Sequence, residues 1–431
     1  MTNLGPAASL RLVSSIQAGK AATWLFGGLG DLLAQTEQPK WRDDPYPLYE
    51  RIRQKGPLYR GLAGVFATAH FDTANKVLRD RRFGMKRTDG TMPGMGALTV
   101  VQSNFPDSFL DQDPPDHTRL RRLAAPAFNP KRVDGYRDRI QASIDTLVDA
   151  VEGKESFDVM ADLATPLPIA VISDLLGIPE ADRADFGRYG ALIGQGLSQI
   201  TSVRQAKDLV DIGRHLIDLF DRLMRERAKD PGEDVISALT VAVGEDRLTP
   251  EELHGTTMLL LIAGFETTVN LIGNGTRALL AHPEQWAQLR ADPAALAAGT
   301  VEEVLRYDAP VQSTVRIAHE EVVLGDQTVK PNQVVGVIIG GANRDPEAYD
   351  SPDRFDITRT GGPEHLSFSS GIHYCLGARL ARIEGELMFR TLAERLPLLR
   401  QAGPLVRREA NSIRGLASFP VTAKVPAQRR R

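Results

Sequence analysis

FSSGIHYCLG, residues 368–377, holds the chain's single cysteine, Cys375, with His373 two residues before it and glycines at Gly371 and Gly377. The stretch that follows, CLGARLARIEGELMFRTLAERLP, places Leu376, Leu380, Ile383 and Leu387 on one face at helical spacing. Cys375 therefore stands at the start of a helix, where unpaired amides and the helix dipole favour negative charge, so its thiol is expected to ionise more readily than a free one. The two glycines carry no side chain and would let a large flat ligand approach the backbone. Three readings follow. A lone cysteine is most often buried and inert. A nucleophile with His373 as base is a second, but no orienting third group or oxyanion motif accompanies the pair. The third is a thiolate ligand to a metal.

Composition narrows these. One cysteine in 431 residues excludes an intrachain disulfide, a four-cysteine zinc site and a cysteine-ligated cluster, and leaves an axial ligand to haem iron as the metal reading. The formal net charge of -3 points to neither nucleic acid nor an anionic membrane as main partner. No run of eighteen apolar residues occurs, so no transmembrane anchor is expected. The stretch AATWLFGGLGDLLA, residues 21–34, is short and broken by glycines and Asp31. Residues 1–37 are read as a helical extension that packs on the body or touches a membrane surface loosely, residues 38–425 as the body and 426–431 as a basic tail. A soluble cytoplasmic protein is expected.

Most of the chain carries helical patterns. Short strands are expected in PLYRGLAGVFATA, residues 57–69, and in EEVVLGDQTVKPNQVVGVII, residues 320–339. The fold class is mostly α with a minor β portion. In DQDPPDHTRLRRL, residues 111–123, Asp113 is read as a cap, and His117 and Arg121 share one helix face at i and i+4. In LTPEELHGTTMLLLIAGFETTVNLIGNGTRALLAHP, Thr249, Pro250 and Glu252 form a capping box, and no proline follows until Pro283. That predicts a helix of roughly 30 residues through the centre of the protein.

The decapeptide fits F-x-x-G-x-H-x-C-x-G through Phe368, Gly371, His373, Cys375 and Gly377, and it resembles the haem-binding signature of the cytochrome P450 family. AGFETT, residues 263–268, resembles that family's oxygen-activation motif. The resemblance implies a P450-like fold, one large domain with a long central helix over the haem, and haem b ligated by the Cys375 thiolate. It implies that Glu266 and Thr267 relay protons to dioxygen, Thr267 as the nearer group, while Ala263 and Gly264 leave room beside the helix. His117, Arg121, Arg316 and His373 become the partners of the haem propionates. Glu303 and Arg306, with Arg354 in SPDRF, resemble the family's buried fold-locking triad.

The implied activity is monooxygenation, hydroxylation or epoxidation of an apolar small molecule such as a lipid, terpenoid, steroid or polyketide, with a lean towards lipid or terpenoid. The pocket wall is expected from Leu98, Val100, Leu192, Leu259, Ala263, Val311 and Leu416. No electron-transfer domain fits in the remaining sequence, so electrons are expected from a separate ferredoxin and ferredoxin reductase. These would dock on the cysteine side, with Arg121, Arg122 and Arg379 offering positive charge. A peroxide-driven peroxygenase and a non-catalytic haem-binding protein are the alternatives; the intact Glu266–Thr267 pair argues against both.

Overall fold

The computed structural model describes residues 6–93, 105–198, 200, 202–245, 247–409 and 412–423. Counting helices of eight residues or more, these are α1 (Pro6–Gly28), α2 (Tyr46–Arg53), α3 (Phe71–Arg79), α4 (Asp116–Ala124), α5 (Arg137–Val151), α6 (Pro166–Leu176), α7 (Glu180–Ser198), α8 (Val203–Arg227), α9 (Val235–Gly244), α10 (Pro250–Ala281), α11 (Pro283–Ala291), α12 (Pro293–Tyr307) and α13 (Ala378–Arg395). The strands are short: β1 (Tyr59–Arg60), β2 (Phe66–Thr68), β3 (Phe83–Gly84), β4 (Phe157–Asp158), β5 (Thr314–Ala318), β6 (Val322–Leu324), β7 (Gln327–Val329), β8 (Val334–Val337), β9 (Arg400–Gln401), β10 (Val406–Arg407), β11 (Leu416–Ser418) and β12 (Pro420–Thr422). The mostly α class with a minor β portion is what the sequence leads one to expect.

α10 organises the molecule. Thr249 accepts from the Glu252 amide and Glu252 reaches back to the Thr249 amide, so two of the orphan donors at the helix start are satisfied. With Pro250 in the first turn and the next proline at Pro283, nothing interrupts the ladder for 32 residues. It is the one helix among the described residues long and apolar enough to cross a bilayer, but 72% of its apolar window is buried inside the protein. It is a core helix, with Leu261, Val269 and Ile272 fully enclosed. Each such side chain contributes roughly 1.5–3 kcal/mol of apolar burial. α13 and α12 pack beside it, and the stripe read from the sequence is buried as expected at Leu380, Ile383 and Leu387.

A five-stranded sheet in the order β1-β2-β8-β5-β3 stands apart from the helical core. β2 and β8 run parallel, with Phe66 opposite Val335, and the other pairs are antiparallel. Both strand regions expected from the sequence fall here or in the β6–β7 hairpin. The sheet holds Arg316 on β5 with its side chain turned inward. A second hairpin, β10–β11, lies near the C-terminal end of the chain. α1 docks through Leu12 and Ile16, which belong to the main core, while Trp24 and Leu29 remain exposed.

Candidate active site

The cysteine loop is a tight structure. Two single 3₁₀ turns, Leu366–Phe368 and Gly371–His373, flank Ser369 and Ser370, and the Cys375 amide closes the loop by donating to the Phe368 carbonyl at 2.8 Å. Gly371 has φ of 69°, and a Cβ there would come within 2.6 Å of the Leu78 carbonyl oxygen at the end of α3. Glycine is required at 371 by backbone conformation and by the neighbouring helix. At Gly377 a Cβ would meet only Phe128, at 3.9 Å. Phe368 is buried beneath the Arg382 guanidinium, 4.6 Å from the ring centroid. Arg382 itself is held by Glu302 at 2.7 Å.

Cys375 is exposed, yet protein surrounds it closely enough that burial pushes its thiol up, against the Gly377 amide and the Arg121 and Arg382 charges. The expectation of an easily ionised thiol is thus overturned for the protein without a metal: α13 starts only at Ala378, and desolvation outweighs the donors. A coordinated metal reverses that balance, because it binds the thiolate.

Beside the sulfur lies a cluster of nitrogen groups. The His117 and His373 rings are 4.4 Å apart. Both ring nitrogens of His117 and Nε2 of His373 are buried without a partner among the described residues. Burial lowers the pKa of both, and for His373 the Arg316, His117 and Arg121 charges add to it, taking it to about 3. Arg316 is 4% exposed and donates to the Val315 carbonyl at 2.8 Å, Thr314 Oγ1 at 3.3 Å and Met85 Sδ at 3.4 Å, none of them a carboxylate. Burial lowers it to about 10, opposed by Asp113. Arg121 donates to the Tyr374 carbonyl at 2.6 Å. Buried guanidinium and imidazole groups of this kind call for anionic acceptors.

On α10 the same mixture of burial and exposure recurs. Ala263 is exposed in the middle of an otherwise enclosed helix, and Gly264 and Leu259 are half-buried. Thr267 Oγ1 donates back to the Ala263 carbonyl at 2.7 Å, a back-bond that threonine makes within the continuous helix. Glu266 is 2% exposed. Its Oε1 accepts from Asn270 Nδ2 at 3.2 Å and from Arg408, while its Oε2 has no partner among the described residues. Burial pushes the carboxyl up, and Arg408 then Asn270 oppose it.

Comparison with known proteins explains the assembly. The family profile described as Cytochrome P450 matches residues 102–406. The chain belongs to the cytochrome P450 family. It is 42% identical over 88% of its length to Cytochrome P450 monooxygenase PikC of Streptomyces venezuelae, covering 91% of that protein. It is 37% identical over 89% of its length to the 6-deoxyerythronolide B hydroxylase of Saccharopolyspora erythraea, covering 97% of it. Among solved structures, P450BioI in complex with hexadec-9Z-enoic acid ligated acyl carrier protein superimposes with a TM-score of 0.81 at 36% identity, over 89% of this chain and 99% of that one. The chain is a cytochrome P450 monooxygenase, and membership of that family implies a haem with a cysteine thiolate ligand. Its residues fit that cofactor: an exposed Cys375, and His117, His373, Arg121 and Arg316 groups that have no carboxylate partner among the described residues and suit two propionates.

Several expectations need correction in this P450. Asp113 does not cap α4, which starts at Asp116 without a side-chain cap; it accepts instead from the Met85 and Lys86 amides at 2.8 and 3.0 Å. The second arginine on Glu303 is Arg359, whose Nε lies 3.1 Å from Glu303 Oε2. Arg354 is 67% exposed, pairs with Asp356 and supplies only its carbonyl, to Arg306 and Arg359. Of the pocket-wall residues, Leu416 is fully buried core and Leu192 is exposed on α7. Val311 is half-buried and bridges to Ile413. Leu98 and Val100 lie outside the described residues. Arg379 is not a free cation, since Asp134 holds it at 2.6 Å, and Arg121 is half-buried. Arg408 was missed altogether.

Proposed function

We propose that this P450 hydroxylates or epoxidises a large apolar acyl or polyketide-derived molecule, using electrons from a separate ferredoxin and its reductase. The observation that carries this is the exposed Cys375 beside four nitrogen groups that have no carboxylate partner among the described residues. When bound, the haem supplies the oxygen activation and atom transfer. Cys375 ligates its iron; His117, His373, Arg121 and Arg316 bind its carboxylates. Ala263 and Leu259 leave an apolar space beside α10 for substrate, whereas a Cβ at Gly264 would meet Ile172 of α6 at 3.3 Å. Glu266 takes up protons at Oε2, the oxygen without a donor, and Thr267 Oγ1 passes them on.

The substrate class rests on the relatives. One is named a 6-deoxyerythronolide B hydroxylase, and one structural neighbour carries a fatty-acyl carrier protein. The side chains accessible on the middle of α10 are small or apolar, which suits such molecules. For the electron donor, Arg122 is the exposed cation of the three read from the sequence that makes no ion pair among the described residues. Arg122→Glu should slow reduction by a ferredoxin and flatten its salt dependence.

The test is spectroscopic and then catalytic. The reduced carbonyl adduct should show the far-red-displaced band of a cysteinate ligand, and Cys375→Ser should abolish that band. Macrolactones and long-chain fatty acids are then screened for a haem spin-state change, with products analysed using a surrogate ferredoxin pair. Turnover with peroxide but never with the electron-transfer pair would replace this reading by a peroxygenase.

A further inference from the structure

We propose that Arg408 is a positioning residue for Glu266, tying the state of that carboxylate to the seat of the β10–β11 hairpin on α10. The inference rests on the reading that Glu266 moves protons, and goes beyond it by naming what controls the group. The Arg408 amide donates to the Gly415 carbonyl at 3.2 Å and its Nε to the Leu416 carbonyl at 3.1 Å. The guanidinium is therefore fixed by the hairpin's own backbone, and its Nη1 reaches across to Glu266 Oε1.

One turn along α10, Asn270 donates to the same Oε1 and lies so near Gly415 that a Cβ there would come within 1.8 Å of Asn270 Oδ1. One turn further, Asn274 donates to the Arg414 carbonyl at 3.0 Å and the Asp308 carbonyl at 3.1 Å. Residues 266, 270 and 274 share one helix face, and together they clasp the hairpin. The hairpin contributes the charged donor, Arg408, and α10 the neutral one, Asn270, which abuts the hairpin at Gly415; Thr267 donates elsewhere, to the Ala263 carbonyl. With the hairpin seated, Oε1 is doubly bonded to donors and the carboxylate is favoured. With the hairpin shifted, Arg408 leaves, Asn270 loses the Gly415 backbone it abuts, and burial drives Glu266 to take a proton.

The experiment follows the carboxyl stretch of Glu266 by difference infrared spectroscopy on the haem-loaded full chain, assigned with Glu266→Gln and titrated with pH. Product formed per electron consumed is measured alongside. Arg408→Gln should raise the Glu266 midpoint by at least about one pH unit, a tenfold change in proton affinity, and lower product per electron by about threefold or more. Arg408→Lys should restore most of both. Gly415→Ala, which alters no charge, should shift the midpoint the same way by displacing Asn270 and the hairpin. Melting temperature and haem content establish that each variant is folded, and Gly415→Ala decides the matter if Arg408→Gln is not. A midpoint in the folded variant within about 0.3 pH units of wild type overturns the proposal. If Glu266→Gln leaves product per electron unchanged, the proton role of Glu266 fails instead, while the midpoint test of Arg408 stands.

Discussion

Two buried glutamates, Glu303 on α12 and Glu266 on α10, are 3% and 2% exposed and yet are built for opposite ends. Every lone-pair direction of Glu303 is taken. Arg306 binds it as a fork, Nη2 to Oε1 and Nε to Oε2, both at 2.8 Å; the Asp356 amide and Arg359 Nε complete the set. Arg306 in turn donates to the carbonyls of Asn343, Pro352 and Arg354. Such a network has one arrangement and ties α12 to the loop before the cysteine. Among the described residues Glu266 has donors on one oxygen alone, Asn270 from its own helix and Arg408 from the β10–β11 hairpin. A carboxylate locked on all sides can only hold structure; one left open on a single oxygen can exchange a proton without the fold giving way.

The harshest way to break the first region is Glu303→Gln. It leaves two guanidinium groups short of their charge partner in a dry site and should cost about 3–5 kcal/mol in chemical denaturation, with loss of haem retention. Glu266→Gln, by contrast, should leave stability within about 1 kcal/mol. Equal losses in the two variants would erase the distinction.

A third buried glutamate sharpens it. Glu384 on α13 is 2% exposed, has no donor on Oε2, and burial pushes its carboxyl up to about 8. The folded protein therefore holds this proton more tightly than the unfolded chain does. Its stabilising effect is fully present below the unfolded carboxyl pKa and is lost as pH rises towards about 8. The expected slope is a loss of up to about 1.4 kcal/mol per pH unit, measured as unfolding free energy from pH 5 upward. Glu384→Gln should flatten that slope and gain about 2 kcal/mol near neutral pH. An unchanged slope in the variant would assign the pH dependence to other groups.

What could be read from the sequence was what is local. The capping box of Thr249, Pro250 and Glu252 and the apolar stripe of α13 are set by residues within a few turns, so the two helices that frame the site were legible. So was the cysteine loop, whose residues of interest lie within ten positions. Contacts made through loops were not. Arg408 sits in VRREAN, an ordinary polar stretch, and meets Glu266 from 142 residues away. Leu416 looks like a pocket residue by composition and is core because β11 lies against the centre of the molecule. Asp113 stands where a cap would, but the amides of Met85 and Lys86 are nearer donors.

The smallest effect tests the finest of these distinctions. SPDRFDITR offers two arginines five residues apart, and family resemblance favoured the first. The geometry reverses the choice: Arg359 Nε reaches Glu303, its Nη1 donates to the Asp350 carbonyl at 2.7 Å and its Nη2 to the Arg354 carbonyl at 2.8 Å. Arg359→Ala removes a partner from a buried carboxylate and should lower stability by about 1–2 kcal/mol. Arg354→Ala removes an exposed side chain whose pairing with Asp356 is loose, at 3.6 Å, and retains the carbonyl that Arg306 and Arg359 use. Its cost should stay within about 0.5 kcal/mol. Parallel urea denaturation of the two variants decides which arginine locks the fold, since a larger loss for Arg354→Ala cannot be reconciled with a side chain that leaves the buried cluster untouched.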